Sequence, residues 1–329
     1  MKDKVALEEH FATEDTIGDS EPYFGRDLWP AKKAQLLDLL DERLRRMDAS
    51  GIELAIISLN SPAIQARTDT ALAIEIAQRA NDQLAEQMAR RPDRFRGFAA
   101  LPLQDPDAAT REIRRAVEEL GFVGALVNGY SQVGHIDNST YYDLPQFRPF
   151  WQEVERLDVP FYLHPRLPLA SQQRSTEGHP WLMGPAWQFS VETGTHALRL
   201  MGSGLFDECP GLTVILGHLG ELLPFNIWRT SHWASAEGRN PQNIPAKKSF
   251  IDYLRQNFYV TTSGNFRTMA MRNAMEEMGT DRVLFSSDYP FEEMEEAALW
   301  FDAAEIGEND REAIGRNNAR RLFKIDHEH

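Results

Sequence analysis

Side chains that hold metal ions or move protons stand at the ends of four short apolar runs. Lys4-Val-Ala-Leu-Glu8-Glu9-His10 delivers a carboxylate and an imidazole two apart, and Val159-Pro-Phe-Tyr-Leu-His164 stops at an imidazole before Pro165. Thr213-Val-Ile-Leu-Gly217-His218 ends in a second imidazole, and Arg282-Val-Leu-Phe-Ser-Ser-Asp288 in a carboxylate. Short apolar runs closed by a breaker read as buried strands, and Pro165 has no N–H with which to extend a ladder. In a barrel of parallel strands the carboxyl ends carry the chemistry, because the βα loops leave from that face. Glu8, His10, His164, His218 and Asp288 converge if their strands share such a barrel.

Glu8, His10, His164 and Asp288 form a mixed nitrogen and oxygen shell that suits one divalent ion, Zn²⁺ or Mn²⁺, better than calcium or a thiolate metal. His218 could add a fifth ligand, but Glu221, three residues on, can instead orient it as an acid/base pair on the rim. Glu9 alternates away from the His10 face and is read as solvated or ion-paired. Arg166 fits a substrate clamp or a structural ion pair equally well. His135, His179, His196 and His232 fall in loops or helices and read as surface or core residues, and His327 and His329 belong to a charged tail. Ser286-Ser287 lacks a Gly-x-Ser-x-Gly elbow, which argues against a serine hydrolase. No pyridoxal or flavin fingerprint and no strand-terminal lysine occurs, so no organic cofactor is expected.

The elements that must position these groups alternate. Strands are predicted at 4–10, 53–59, 95–101, 124–127, 161–164, 213–218, 257–262 and 282–288. Helices are predicted over about 33–50 (stopped by Gly51), 69–91, 105–120, 148–157, 188–203, 219–232 and 269–278, with two more before Phe323. Eight strands separated by helices indicate a (β/α)₈ TIM-like barrel in a single domain, 1–329, rather than an open sheet. Ala12 to Pro30, Tyr130 to Leu144 and Leu167 to Pro185 are long irregular loops at the carboxyl-terminal face. Tyr23, Phe24 and Trp29 make the first of these a lid with an aromatic floor. On a helix over 219–232, Glu221 and Arg229 share one side.

A net charge of -15 argues against nucleic acid or an anionic membrane as partner, and a hydrophobic content of 42% in 329 residues allows a large core. One cysteine, Cys209, excludes internal disulfides and fits a cytoplasmic location. No apolar run approaches membrane-spanning length and no leader is expected.

Val5-Ala-Leu-Glu8-Glu9-His10-Phe11, Phe122-Val-Gly-Ala-Leu-Val-Asn128, Asp158-Val-Pro-Phe-Tyr-Leu-His164-Pro-Arg166, Ile215-Leu-Gly-His218-Leu-Gly-Glu221 and Leu284-Phe-Ser-Ser-Asp288-Tyr-Pro-Phe291 together resemble the amidohydrolase-superfamily decarboxylases over nearly the whole chain. The resemblance implies a distorted barrel of the metal-dependent amidohydrolase type, one divalent metal, a homotetramer, and reversible non-oxidative decarboxylation of a hydroxybenzoate. It implies metal ligands at Glu8, His10, His164 and Asp288, a catalytic pair in His218 and Glu221, and a carboxylate-binding Arg229. Relatives acting on 2,3-dihydroxybenzoate or salicylate tend to carry a small residue at the His10 position, which favours 2,6-dihydroxybenzoate here. Asp288 is the expected proton donor, with His218 as a variant, and Tyr23, Phe24 and Phe291 are expected to cage the ring. The alternatives are a metal-dependent hydrolase of the same superfamily, favoured less by Glu-x-His than by His-x-His in strand one, or a decarboxylase of 2,3-dihydroxybenzoate or salicylate.

Overall fold

The computed structural model describes residues 1–235 and 244–325; His327 and His329 lie outside the described residues. Eight strands form one sheet in chain order: β1 Lys4–Phe11, β2 Ile52–Leu59, β3 Phe95–Ala99, β4 Gly124–Asn128, β5 Phe161–His164, β6 Val214–Leu216, β7 Phe258–Thr261 and β8 Val283–Leu284. Every neighbouring pair is parallel. The seam between β8 and β1 closes on one bridge, Leu7 to Ser286, with Leu7 N donating to Phe285 O (3.3 Å) and His10 N to Tyr289 O (2.7 Å). The predicted (β/α)₈ barrel is therefore present, nearly closed.

Alternation divides each strand between two cores. Val5, Leu7, Leu54, Ile56, Phe98, Leu126, Tyr162, Ile215, Tyr259 and Leu284 fill the interior, with Ala319 and Phe323 of the last helix packed against them. Ala6, Ile57, Val127, Leu163, Leu216, Val260 and Phe285 face outward onto the helices. The next inward position toward the carboxyl end is polar or glycine: Ser58, Asn128, His164, Gly217, Thr261 and Ser286. The interior thus changes from an apolar plug to a chemical floor within two residues.

Helix starts are fixed locally. The Asp69 carboxylate caps Thr70–Arg90 by accepting from Leu72 N, and Asp105 caps Pro106–Glu118 by accepting from Asp107 N and Ala108 N. The single helix predicted over 33–50 is two, Trp29–Leu37 and Glu42–Ser50. The Asp38 carboxylate accepts from Asp41 N (2.9 Å) and Arg43 N (2.8 Å), giving the backbone a turn in place of another helical bond. Gly51 ends the second helix at φ 65°, as predicted. The first long loop contains two short 3₁₀ turns, Ile17–Asp19 and Glu21–Tyr23, and the second a small antiparallel hairpin, Ser131–Gln132 with Ser139–Thr140. The helix predicted from Leu219 begins at Leu223, because the chain from His218 to Leu222 runs through left-handed backbone. The last strand is shorter than predicted because Thr262 Oγ1 takes over its ladder, accepting from Ser286 N and donating to Ser286 O, both 2.9 Å.

Candidate active site

Glu8 and His10 reach the mouth through a fault in β1. Val5 and Leu7 point inward, so strict alternation would send Glu9 in next. Glu8 instead sits at φ 56° and the register with β2 slips between Ala6 and Glu9. This bulge switches the phase, so that Glu8 and His10 share the site while Glu9 turns to the seam. His218 (φ 52°), Glu221 (φ 53°) and Asp288 (φ 73°) are left-handed too. Each such non-glycine residue costs on the order of 1–3 kcal/mol, a strain that clusters at working sites.

One candidate ligand atom from each of Glu8, His10, His164 and Asp288 lies within 4.8 Å of the others. Glu8 Oε1 faces His164 Nε2 at 3.2 Å and His218 Nε2 at 3.6 Å, while His10 Nε2 faces Asp288 Oδ1 at 3.3 Å. Glu8 Oε1 and His10 Nε2 are buried without a hydrogen-bond partner. Buried polar atoms are rarely left so, and a cation would satisfy both. The donor set fits one divalent ion.

The other ends of these side chains are fixed. Glu8 Oε2 accepts from Tyr162 Oη, from Ser263 Oγ and from Thr261 Oγ1 (3.2 Å). Ser58 Oγ meets His10 Nδ1 at 3.2 Å. Burial works to raise the Glu8 carboxyl, but His218, His164 and His10 more than offset it and hold it well below the ordinary carboxylate range. Burial lowers His164, with the adjacent His10 adding to the effect against Glu8.

His218 stands beside this cluster. Its Nδ1 is 2.7 Å from Glu221 Oε1, and its Nε2 is 3.7 Å from Asp288 Oδ2. Burial would strip its proton, but the carboxylates of Glu221 and Glu8, together with Asp288, hold the imidazolium well above its usual range. His218 and Asp288 keep 18% and 13% of their side chains exposed, against 0% for Glu8 and His10, so these two face the opening. Phe291 packs edge-on against His10 (ring centroids 5.4 Å apart), and Phe24 stacks on Phe291 (5.5 Å). Tyr23 lies against Phe189 instead (5.8 Å).

Three sequence readings change. Glu9 is neither solvated nor ion-paired: it is fully buried, and its carboxylate accepts from Ser287 N (2.9 Å) and Ser287 Oγ (2.7 Å). Burial pushes its carboxyl up to about 8, against those hydrogen bonds and Arg43. Arg166 forms no ion pair among the described residues; its guanidinium donates to Gln65 O, Tyr130 O and Gln132 Oε1 and lies 4.1 Å over the Tyr130 ring. Arg229 and Glu221 do not share a helix face, because Glu221 precedes the Leu223–Ser235 helix. Arg229 is exposed there and donates to none of the cluster residues. The Glu8 hydroxyl cradle was not anticipated, although Tyr162, Thr261 and Ser263 stand in the same strand-end stretches as the expected groups. A cavity of about 330 Å³ lined by Phe11, Ala12, Asp38, Asp41, Gln83 and Arg90 shares no residue with the cluster, and its Asp38 already accepts from Asp41 N and Arg43 N.

The barrel is that of the amidohydrolases, and the chain belongs to that family: residues 27–325 match the family described as Amidohydrolase. Within it, the chain is 60% identical over 326 residues to the gamma-resorcylate decarboxylase of Rhizobium sp. (strain MTP-10005), covering 99% of each. It is also similar to a 2,6-dihydroxybenzoate decarboxylase solved with 2,6-dihydroxybenzoate, at 59% identity and a TM-score of 0.97, covering 99% of this chain and 100% of that one. A dihydroxybenzoic acid decarboxylase from Polaromonas sp. JS666, solved with bound manganese and the inhibitor 2-nitroresorcinol, matches at 55% identity and a TM-score of 0.96, covering 99% and 98%. Among the described residues, no helix is long and apolar enough to cross a membrane.

Proposed function

We propose that this chain catalyses the reversible, non-oxidative decarboxylation of 2,6-dihydroxybenzoate to resorcinol and CO₂, with one divalent metal ion and no organic cofactor. The observation that carries this reading is the buried meeting of Glu8, His10, His164 and Asp288 beside the His218–Glu221 pair, in a chain 60% identical to a gamma-resorcylate decarboxylase. Glu8, His10, His164 and Asp288 would hold the ion, which would supply Lewis acidity toward an oxygen-bearing aromatic acid. Manganese is our choice over zinc because the Polaromonas relative was solved with it.

The residues of the chain do the rest. Glu221 accepts from His218 Nδ1 and keeps its ring charged and oriented, so that Nε2 presents a proton toward Asp288 Oδ2, 3.7 Å away. Asp288 passes a proton to the ring carbon bearing the carboxylate; that carbon gains hydrogen, the bond to the carboxyl carbon breaks, and CO₂ leaves. Phe291, with Phe24 stacked behind it, offers an aromatic wall next to His10 for a planar substrate, while Tyr23 packs against Phe189.

Arg229 lies on the exposed face of the Leu223–Ser235 helix with Phe225 (86% exposed) and Trp228 (63%). In this reading that apolar face joins subunits of a homotetramer, and Arg229 serves a substrate carboxylate only where subunits meet. Buried, unpaired Cys209 fits a cytoplasmic enzyme.

The test is incubation of purified protein with 2,6-dihydroxybenzoate, following resorcinol by chromatography. Resorcinol should form, disappear with chelator and return with Mn²⁺. Consumption of 2,3-dihydroxybenzoate or salicylate instead would replace the substrate, and absence of decarboxylation by the metal-loaded protein would overturn the reaction.

A further inference from the structure

The barrel seam is the weakest joint in the sheet and stands directly under the site. β1 pairs with β2 from Lys4↔Ile52 to Phe11↔Leu59, whereas on its other side it meets β8 in one bridge, Leu7↔Ser286. Beyond that bridge the chain leaves the ladder and runs through Ser287 to Asp288, which stands at φ 73°. An aspartate in that conformation stays in place only if its surroundings over-determine it.

The groups that do so come from Glu9. Its carboxylate crosses the seam and accepts from Ser287 N (2.9 Å) and from Ser287 Oγ, at 2.9 Å to Oε1 and 2.7 Å to Oε2. A side chain thus stands where a ladder bond would be. On the far side of the same residues, the fully buried Arg43 donates to His10 O and lies 4.8 Å over the Tyr289 ring, and His10 N donates to Tyr289 O. The two residues flanking Asp288 are therefore both tied to the two residues following Glu8. The bulge at Glu8, which turns Glu8 and His10 toward the mouth, turns Glu9 to the seam.

We infer that Glu9 is a positioning residue, whose grip on Ser287, backed by Arg43, holds the Asp288 carboxylate opposite His10 and so completes the cation site. The inference rests on the metal-site reading above. Glu9 touches neither substrate nor ion; it acts through Ser287. The role needs a hydrogen-bonding side chain of this length, so Glu9→Gln should preserve it: an amide oxygen can accept from Ser287 N while its NH₂ donates to Ser287 Oγ.

Mn²⁺ affinity, measured from free Mn²⁺ by electron paramagnetic resonance on chelator-stripped protein, separates this role from general stability, and no substrate is needed. Ser287→Ala, which keeps the backbone bond, should weaken Mn²⁺ binding by about tenfold, and Glu9→Ala by roughly 10–100-fold, the range for losing an outer partner of a metal ligand. The double variant should bind no worse than Glu9→Ala, because both act through one contact. Glu9→Gln should stay within about threefold of the parent. Parental Mn²⁺ affinity in folded Ser287→Ala and Glu9→Ala, or a Glu9→Gln as poor as Glu9→Ala, overturns the inference. Where Glu9→Ala does not fold, Ser287→Ala and Glu9→Gln decide alone. A parent that binds no Mn²⁺ would instead sink the metal-site reading itself.

Discussion

Gly217 sits at the last inward position of the β6 run, where β2, β4, β5 and β7 present Ser58, Asn128, His164 and Thr261, and its lack of a side chain makes room for Glu8. A Cβ added there would stand 2.9 Å from Glu8 Oε2, 3.0 Å from Glu8 Oε1 and 3.2 Å from Ser263 Oγ. That is roughly half an ångström short of ordinary contact. Glu8 cannot easily yield, because Tyr162, Thr261 and Ser263 hold its Oε2 and the imidazoles of His164 and His218 flank its Oε1. The backbone of Gly217 is not left-handed, so Gly217→Ala adds no conformational strain and isolates the clash. A misplacement of 1 Å costs about 10²-fold in rate, so half of it should cost about tenfold in kcat. The fold should survive, since overpacking of this size costs about 1–3 kcal/mol. Steady-state decarboxylation of 2,6-dihydroxybenzoate, with circular dichroism as the control for folding, checks this. Parental kcat in Gly217→Ala would refute the reasoning, since Glu8 would then have no need of the position it occupies.

Asp288→Asn keeps the shape but cannot give up a carboxyl proton, so turnover should fall by about 10²–10⁴-fold in the same chromatographic assay, and retention of most activity would remove its assigned role. The buried His196 responds to acid without touching the site. Its Nε2 accepts from Tyr142 N at 3.2 Å, which requires a neutral ring, and burial, helped by Arg199, lowers its pKa from 6.5 to about 3. Because the folded value is depressed, its contribution is present above pH 6.5 and is lost as pH falls toward 3. Between pH 7 and 5 that loss is about 2 kcal/mol. Urea unfolding of His196→Gln should show a pH dependence smaller by this amount, and identical slopes for parent and variant would exclude the ring as its source.

How much of this was legible in the sequence depended on whether a residue's type and its place in the chain spoke together. His164 and Asp288 stand at strand ends where a polar residue interrupts an apolar run, and both join the cluster. Eight strands and the order of their helices were equally legible, because each run and each helical period is short and cleanly bounded. Failures came where side chains, rather than periodicity, set the backbone. Asp38 split a helix whose leucine spacing was unbroken, and five consecutive left-handed residues from His218 to Leu222 delayed another. Only Gly220 in that stretch signals positive φ by its type.

Glu8 and Glu9 show the limit most clearly. Counting from His10 places Glu8 in the site and Glu9 outside it, which is the observed result, yet counting from Val5 and Leu7 gives the opposite assignment. The two counts disagree by one residue, and that disagreement is itself the sequence signature of the bulge, unmarked by glycine or proline. A strand whose apolar and polar halves are out of phase must break register between them. Here the break falls at Glu8, and it places adjacent carboxylates on opposite sides of the sheet: one flanked by His10, His164 and His218, the other bonded to Ser287. Both are fully buried, yet burial raises the Glu9 carboxyl while the imidazoles hold Glu8 down, so one phase slip makes two chemically different acids from a Glu-Glu pair.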